Sequence, residues 1–220
     1  MRALRIRGWL AIVGCLVIAM VAYCTIHLRS HDHANPQAVA SAEDEVYESV
    51  IRDLLTPSKE RLKSEARLTR LVFSDTLDTY LCPGVDKKTC INGVRQRFRS
   101  EGAGVIGAET IEDSIERSQT AGPTSRTFHT GLPRDFIAPD KVYFDIEPLE
   151  KRDAKQFNQL FSGASGIISF SHVGFDSRLN EAIVSVSFVC GGLCGTGHRY
   201  ILKRKWGRWK VVNKWIVWVS

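Results

Sequence analysis

Residues Gly8 to Ile26 run for 19 positions without a charge: GWLAIVGCLVIAMVAYCTI. A helix rises 1.5 Å per residue, so this stretch would span about 28 Å, close to the roughly 30 Å hydrocarbon core of a bilayer. Arg2, Arg5 and Arg7 precede it, only Arg29 follows it closely, and the next basic residue is Arg52. The positive-inside bias therefore predicts a cytoplasmic N-terminus at residues 1–7, a transmembrane signal-anchor at 8–27, and everything after it on the non-cytoplasmic side. A cleaved signal peptide would want a shorter apolar run and a small-x-small site soon after it, and Ala38-Val39-Ala40 lies too far downstream. Ile12-Val13-Gly14-Cys15 has the look of a lipoprotein box, but the stretch before it is short and Leu16 to Met20 stay apolar. Cys15 and Cys24 then read as small apolar residues of the spanning helix.

Residues 28–40 read as a polar tether. Its histidines, with His27 just before them (His27, His31 and His33), lack a rigid scaffold that could hold a metal. Residues 41–220 are enough for one domain with a real core and too few for two comfortable ones. Apolar content of 44% and charged content of 25% are those of an ordinary globular chain.

Within that domain, Ser41 reads as a helix N-cap, followed by the acidic Glu43, Asp44 and Glu45. Val46, Val50, Ile51, Leu54 and Leu55 fall on one helical face, and Thr56-Pro57 stops the helix. Arg67 to Leu77 reads as a strand, Pro83-Gly84 as a turn, and Thr110 as the cap of a short helix holding Ile111 and Ile115. Residues 118–135 lack periodicity and read as loop. Lys141 to Glu147 alternates as a strand, and Pro148 opens a helix with Phe157, Leu160 and Phe161 on its apolar side. Four strands follow: Ile167 to Phe175, Ala182 to Cys190, His198 to Lys205 and Trp209 to Val219. Trp206-Gly207-Arg208 is a hairpin signal between the last two. The final strand is apolar on both faces, which predicts a central or covered position. The expected fold is α+β: an N-terminal transmembrane helix, then helices packed on a mostly antiparallel sheet with a C-terminal β-meander.

The runs SGIISFSHVGFDS and SFVCGGLCGTGHRYILKRKWGRWKVVNKWIVWVS carry a dense pattern. It reads G-I-I-x-F-S-x-V-G-F, then C-G-G-L-C-G-x-G, then G-x-W-x-V, closing on W-x-S. This resembles a group of uncharacterised bacterial exported proteins, closely over about residues 163–220 and more loosely before. Taken with the anchor, the resemblance implies a bacterial inner-membrane protein whose domain lies in the periplasmic or extracytoplasmic space. It implies no activity. The chain differs from the pattern by its Cys82–Cys90 pair and several extra basic residues.

Four cysteines fall in the exported part: Cys82, Cys90, Cys190 and Cys194. Outside the cytoplasm an even number suggests structural disulfides, and local pairing (Cys82 with Cys90, Cys190 with Cys194) is the most economical arrangement. The second pair needs a sharp bend, since a fully extended chain would hold those Cα atoms about 13 Å apart and a disulfide needs under roughly 7 Å. Gly191 and Gly192 permit that bend. A redox role for Cys190 and Cys194 is the alternative, though the spacing is C-x3-C and no helix N-terminus follows to stabilise a thiolate. A third arrangement, a metal on Cys190, Cys194 and His198, lacks a fourth ligand. Ser171, His172 and Asp176 lack the nucleophile elbow and oxyanion loop of a hydrolytic site.

The chain carries a formal net charge of +6, and no Asp or Glu follows Glu181. Arg199, Lys203, Arg204, Arg208 and Lys210 therefore form a candidate anionic-binding patch, and Lys205-Trp206-Gly207-Arg208-Trp209-Lys210 interleaves cations with aromatics at the hairpin. The expectation is a non-catalytic, membrane-anchored envelope module for binding, without cofactor or metal. Its partner would be anionic lipid, a cell-wall polymer or an envelope protein, and not nucleic acid, from which the topology separates it. The alternatives are the thiol–disulfide role and a small-molecule pocket between helices and sheet.

Overall fold

The computed structural model describes residues 35–56, 70–77, 82, 84–100, 106–119, 122–138, 161–164, 166–191 and 194–220; of residues 98, 190, 191 and 194 it describes the backbone alone. The apolar run from Gly8 to Ile26, the strand expected at 141–147 and nearly all of the helix expected after Pro148 lie outside these residues. Among the described residues no helix is long and apolar enough to cross a membrane.

The first helix, α1 (Pro36–Leu55), starts ahead of the expected cap at Ser41. Asn35 is the cap: its side-chain oxygen accepts from the Gln37 N–H at 3.1 Å, and Pro36 occupies the first turn, where its missing N–H is no loss. Ala42, Val46 and Val50, with Tyr47 and Ile51 beside them, make a buried stripe at helical spacing. Two further helices follow β1 (Leu71–Ser74): α2 (Lys87–Ser100) and α3 (Ala108–Arg117). Helix α2 falls where the sequence predicts only the Pro83-Gly84 turn. In α3 the cap is Gly107, and Thr110 sits inside the helix.

The remaining strands are β2 (Arg134–Ile137), β3 (Ile167–Phe170), β4 (Gly174–Phe175), β5 (Glu181–Gly191), β6 (Cys194–Lys205) and β7 (Arg208–Val219). They form one seven-stranded sheet in the order β2-β1-β3-β5-β6-β7, with β4 also on β5. The sheet is mixed. β1 lies parallel to β2 and to β3, while every pairing from β3 to β7 is antiparallel. The α+β class and the C-terminal antiparallel run thus match the expectation. The stretch Ile167 to Phe175 is two short strands instead of one, both paired to β5.

Alternation along the strands feeds a main core on each face of the sheet, with a smaller cluster of Val72, Ala164 and Ile167 besides. On one face Phe170, Val184, Val186, Tyr200, Leu202 and Trp209 pack under the α1 stripe. On the other, Ile183, Ile201 and Trp215 meet Cys90 and Val94 of α2 and Ile111 of α3. Each fully buried large aliphatic or aromatic side chain contributes roughly 1.5–3 kcal/mol.

The last strand corrects an expectation. β7 is an edge strand, and of its many apolar residues only Trp209 and Trp215 are buried. Val212, Ile216, Val217, Trp218 and Val219 are exposed. A pattern apolar on both faces reports what could be buried, and apart from Trp215 the outer part of this strand keeps its apolar side chains exposed.

The glycines of the dense C-terminal pattern have a packing role. A Cβ on Gly197 would fall 2.6 Å from Trp218 Cε2, and one on Gly195 2.9 Å from Trp218 Cζ3. The indole therefore lies flat on a strip that has no side chains, and the Ser220 N–H donates to the Gly195 carbonyl at 3.0 Å. The G-x-G and W-x-S elements of the pattern are two halves of one contact.

Candidate functional site

Cys82 and Cys90 are joined by a disulfide, with Cα atoms 5.8 Å apart. Gly84 turns the loop at φ +72°, and Asp86 caps α2 by accepting from the Thr89 N–H at 3.0 Å. Cys90 lies in the second core beside Ile111, so the bridge ties the loop to the helix layer. For the other pair, the backbone matches Gly191 to Cys194 across the β5–β6 turn, with a register break after Val189. The sulfurs of Cys190 and Cys194 lie outside the described residues.

Ser171, His172 and Asp176 do not assemble into a hydrolytic set. Ser171 Oγ donates to the His172 carbonyl at 2.9 Å and accepts from the Ser185 N–H at 2.9 Å, which stitches β3 to β5. Asp176 accepts from the Asn180 and Glu181 N–H groups at 2.6 and 2.8 Å and shapes the turn before β5. His172 faces a buried polar knot that sequence reading missed. Glu43 of α1, whose side chain is 13% exposed, pairs with Arg117 of α3 at 3.0 Å. Glu43 also accepts from the Val173 N–H at 3.0 Å and from the Tyr47 hydroxyl at 3.1 Å. Arg117 reaches the Val173 carbonyl as well. His172 Nδ1 stands 3.8 Å from Glu43, beyond hydrogen-bond reach, so its influence there is electrostatic.

Burial pushes the Glu43 carboxyl up, but His172, Arg117 and the Val173 N–H outweigh it and leave the group below its ordinary range. Burial, and then the Glu43 charge, push the Tyr47 phenol well above its ordinary value. Asp113, which accepts from the Phe175 N–H at 2.8 Å, is raised mainly by burial. These groups clamp α1 and α3 to the β3–β4 connection, and their hydrogen bonds are spent on one another and on its backbone. A depression of about 340 Å³ lined by Lys87, Lys88, Ile91, Asn92 and Glu112 lies on α2 and α3, and not between helices and sheet.

The five residues of the candidate basic patch are placed differently from one another. Arg199 is buried on the sheet, its guanidinium 5.8 Å from the Trp215 ring, and burial pulls it down to about 10. Arg204 lies on the opposite face, 3.3 Å from Glu45 of α1 and 5.8 Å from the Trp209 ring. Lys203 pairs with Glu181 at 3.4 Å. The acid-free tail is thus partly neutralised by acids from elsewhere in the chain, including Asp53, which holds Lys214 at 2.6 Å.

Arg208 and Lys210 remain, together with Lys205 of the same interleaved hairpin run. Register sets Lys205 opposite Arg208 and Lys203 opposite Lys210 on the two strands flanking the turn. Among the described residues Lys205, Arg208 and Lys210 have no acidic partner. Lys210 Nζ stands 5.3 Å from the Trp206 ring. Trp206 is 91% exposed and holds φ +51°, followed by Gly207 at +75°. Positive φ at both central residues defines a type I′ turn, whose usual first residue is Asn, Asp or Gly.

This end of the hairpin carries three features that work against stability. A bulky residue at positive φ costs on the order of 1–2 kcal/mol, and two like-charged pairs sit directly across the strands. Such local departures collect where a surface has a task. No protein-family model, curated protein or solved structure matches the chain.

Proposed function

We propose that the chain is a non-catalytic, membrane-anchored envelope module that grips an anionic partner through the tip of the β6–β7 hairpin. The anchor is the uncharged run at residues 8–27, with the N-terminus in the cytoplasm and the folded domain in the periplasmic or extracytoplasmic space. The charge asymmetry around that run supports this orientation, and the Cys82–Cys90 bridge fits an oxidising compartment.

The observation that carries the binding role is the tip itself. Lys203, Lys205, Arg208 and Lys210 surround an outward-standing Trp206, with Glu181 the acid engaged on that face. Each cation near an anionic surface contributes about 1 kcal/mol, screened by salt over roughly 8–10 Å. The full chain in neutral-detergent micelles should be retained on immobilised polyphosphate at low ionic strength and released as salt rises. Lys205→Glu, Arg208→Glu and Lys210→Glu together should abolish retention. These positions are chosen because Arg204 already serves Glu45. Equal retention of the wild type and the triple variant would overturn the proposal.

A further inference from the structure

Three contacts tie one side of α1 to the β6–β7 hairpin, the first two at the Arg204–Trp209 rung and the third farther from the turn. Glu45 meets Arg204 next to the hairpin turn at 3.3 Å, Ser49 Oγ donates to the Trp209 carbonyl at 3.2 Å, and Asp53 meets Lys214 at 2.6 Å. Advancing along α1 therefore means moving away from the turn. Going back from Glu45 to Pro36, by about 13 Å of helix rise, leads past the hairpin end of the sheet. The start of α1 and Trp206 lie at the same end of the domain. The start of α1 is also where the anchor is attached. Only residues 28–34 separate the anchor from Asn35, and at full extension they reach at most about 25 Å.

The geometry points to a bilayer as the occupant of the hairpin tip: the outer leaflet of the membrane that holds the anchor. Trp206 enters the headgroup region, and Lys205, Arg208 and Lys210 sit among anionic phosphates. This rests on the anchored-module reading and names its partner. Three observations favour lipid over a polymer chain. The tip is convex, whereas a polymer needs a groove. The group set against the aromatic ring is a cation, Lys210 Nζ at 5.3 Å, while sugar recognition needs acceptors as well. Glu181, the acid engaged on that face, is taken up by Lys203, the Thr110 hydroxyl at 2.9 Å and the Gly107 N–H at 2.7 Å. Tryptophan with flanking cations is also the composition that prefers the membrane–water boundary. The short tether then keeps the tip at a high effective concentration of headgroups.

The test uses the full chain reconstituted into nanodiscs of phosphatidylcholine, with or without phosphatidylglycerol. Trp206 emission is taken as the difference between wild type and Trp206→Asn. Asparagine suits the type I′ turn, so that variant should melt no lower than the wild type and its loss of signal is not a loss of fold. In anionic discs the Trp206 share should shift to the blue, be quenched by lipids brominated on their acyl chains, and be shielded from aqueous acrylamide. High salt, or the triple Lys205→Glu, Arg208→Glu, Lys210→Glu variant, should reverse all three effects. A Trp206 share open to acrylamide alike in both discs would overturn the inference. If polyphosphate retention survived that result, the binding reading would stand with a polymer as its partner; if retention failed too, both would fall.

Discussion

Gly174 lies where β4 passes under α3, and the consequence of giving it a side chain follows from the coordinates. A Cβ there would stand 2.6 Å from Ser114 N and closer still to Ser114 Cβ and the Thr110 carbonyl oxygen. Ordinary carbon contacts lie near 3.5–4 Å, so Gly174→Ala forces α3 back by about an ångström. That helix cannot move alone, since Thr110, Ile111 and Ser114 are fully buried and Arg117 is tied to Glu43. Overpacking of this kind costs about 1–3 kcal/mol, and because the shift would also stretch the Glu43–Arg117 pair the expectation is the upper end, about 3 kcal/mol. For a domain of this size that is a fall in Tm of roughly 6–12 °C. Gly93 supplies the control. It lies exposed in the middle of α2 with nothing within 4 Å of its Cβ position. Gly93→Ala should therefore stabilise by about 0.5–1 kcal/mol through helix propensity alone. Thermal and urea unfolding of the two variants measures both signs. A Gly174→Ala protein within about 0.5 kcal/mol of wild type would refute the close packing of α3 on β4.

Reducing the Cys82–Cys90 bridge, or replacing both with Ser, should lower stability by about 2–3 kcal/mol in urea unfolding, as expected for a loop of this length. Glu43→Gln should destabilise by about 3 kcal/mol at neutral pH because it leaves Arg117, whose side chain is 23% exposed, without its counter-charge. The folded carboxyl lies below its ordinary 4.5, so its contribution is complete above that pH and fades as pH falls through the depressed value. The difference in Tm between wild type and Glu43→Gln should accordingly narrow below about pH 4.5. Gly197→Ala should displace the Trp218 indole at a smaller cost of about 1 kcal/mol, since Trp218 is already 40% exposed; tryptophan emission should shift to the red.

The C-terminal sheet was legible because its signals are local. Alternation from Ala182 to Phe188 sets faces, Trp206-Gly207 sets the turn, and Cys82 and Cys90 are close enough in sequence for pairing to be read from spacing. The start of α1 was misplaced because Ser41 and Glu43 imitate a cap, while the true signal, Asn35 before Pro36, stood a few residues upstream. Helix α2 was missed because Gly93 and a run of charges mask its thin apolar stripe of Cys90 and Val94. Its start was marked by Asp86, a capping side chain three residues before Thr89. The edge position of β7 and the Glu43–Arg117 pair had no local signal. Alternation says which residues share a face and nothing about what covers it, and the pair spans 74 residues of sequence. At the candidate site, composition and the interleaved run from Lys205 to Lys210 revealed the basic hairpin, but only the folded structure shows that Arg199 is buried and that Arg204 is spent on Glu45.

The most direct measurement places a photoreactive benzoylphenylalanine at Trp206 in the full chain and cross-links it in living cells, with the exposed Val85 position as control. The account predicts adducts to anionic phospholipid at Trp206, absent at Val85 and diminished by the Lys205→Glu, Arg208→Glu, Lys210→Glu variant. Adducts to cytoplasmic components, or no yield above the Val85 control, would contradict it.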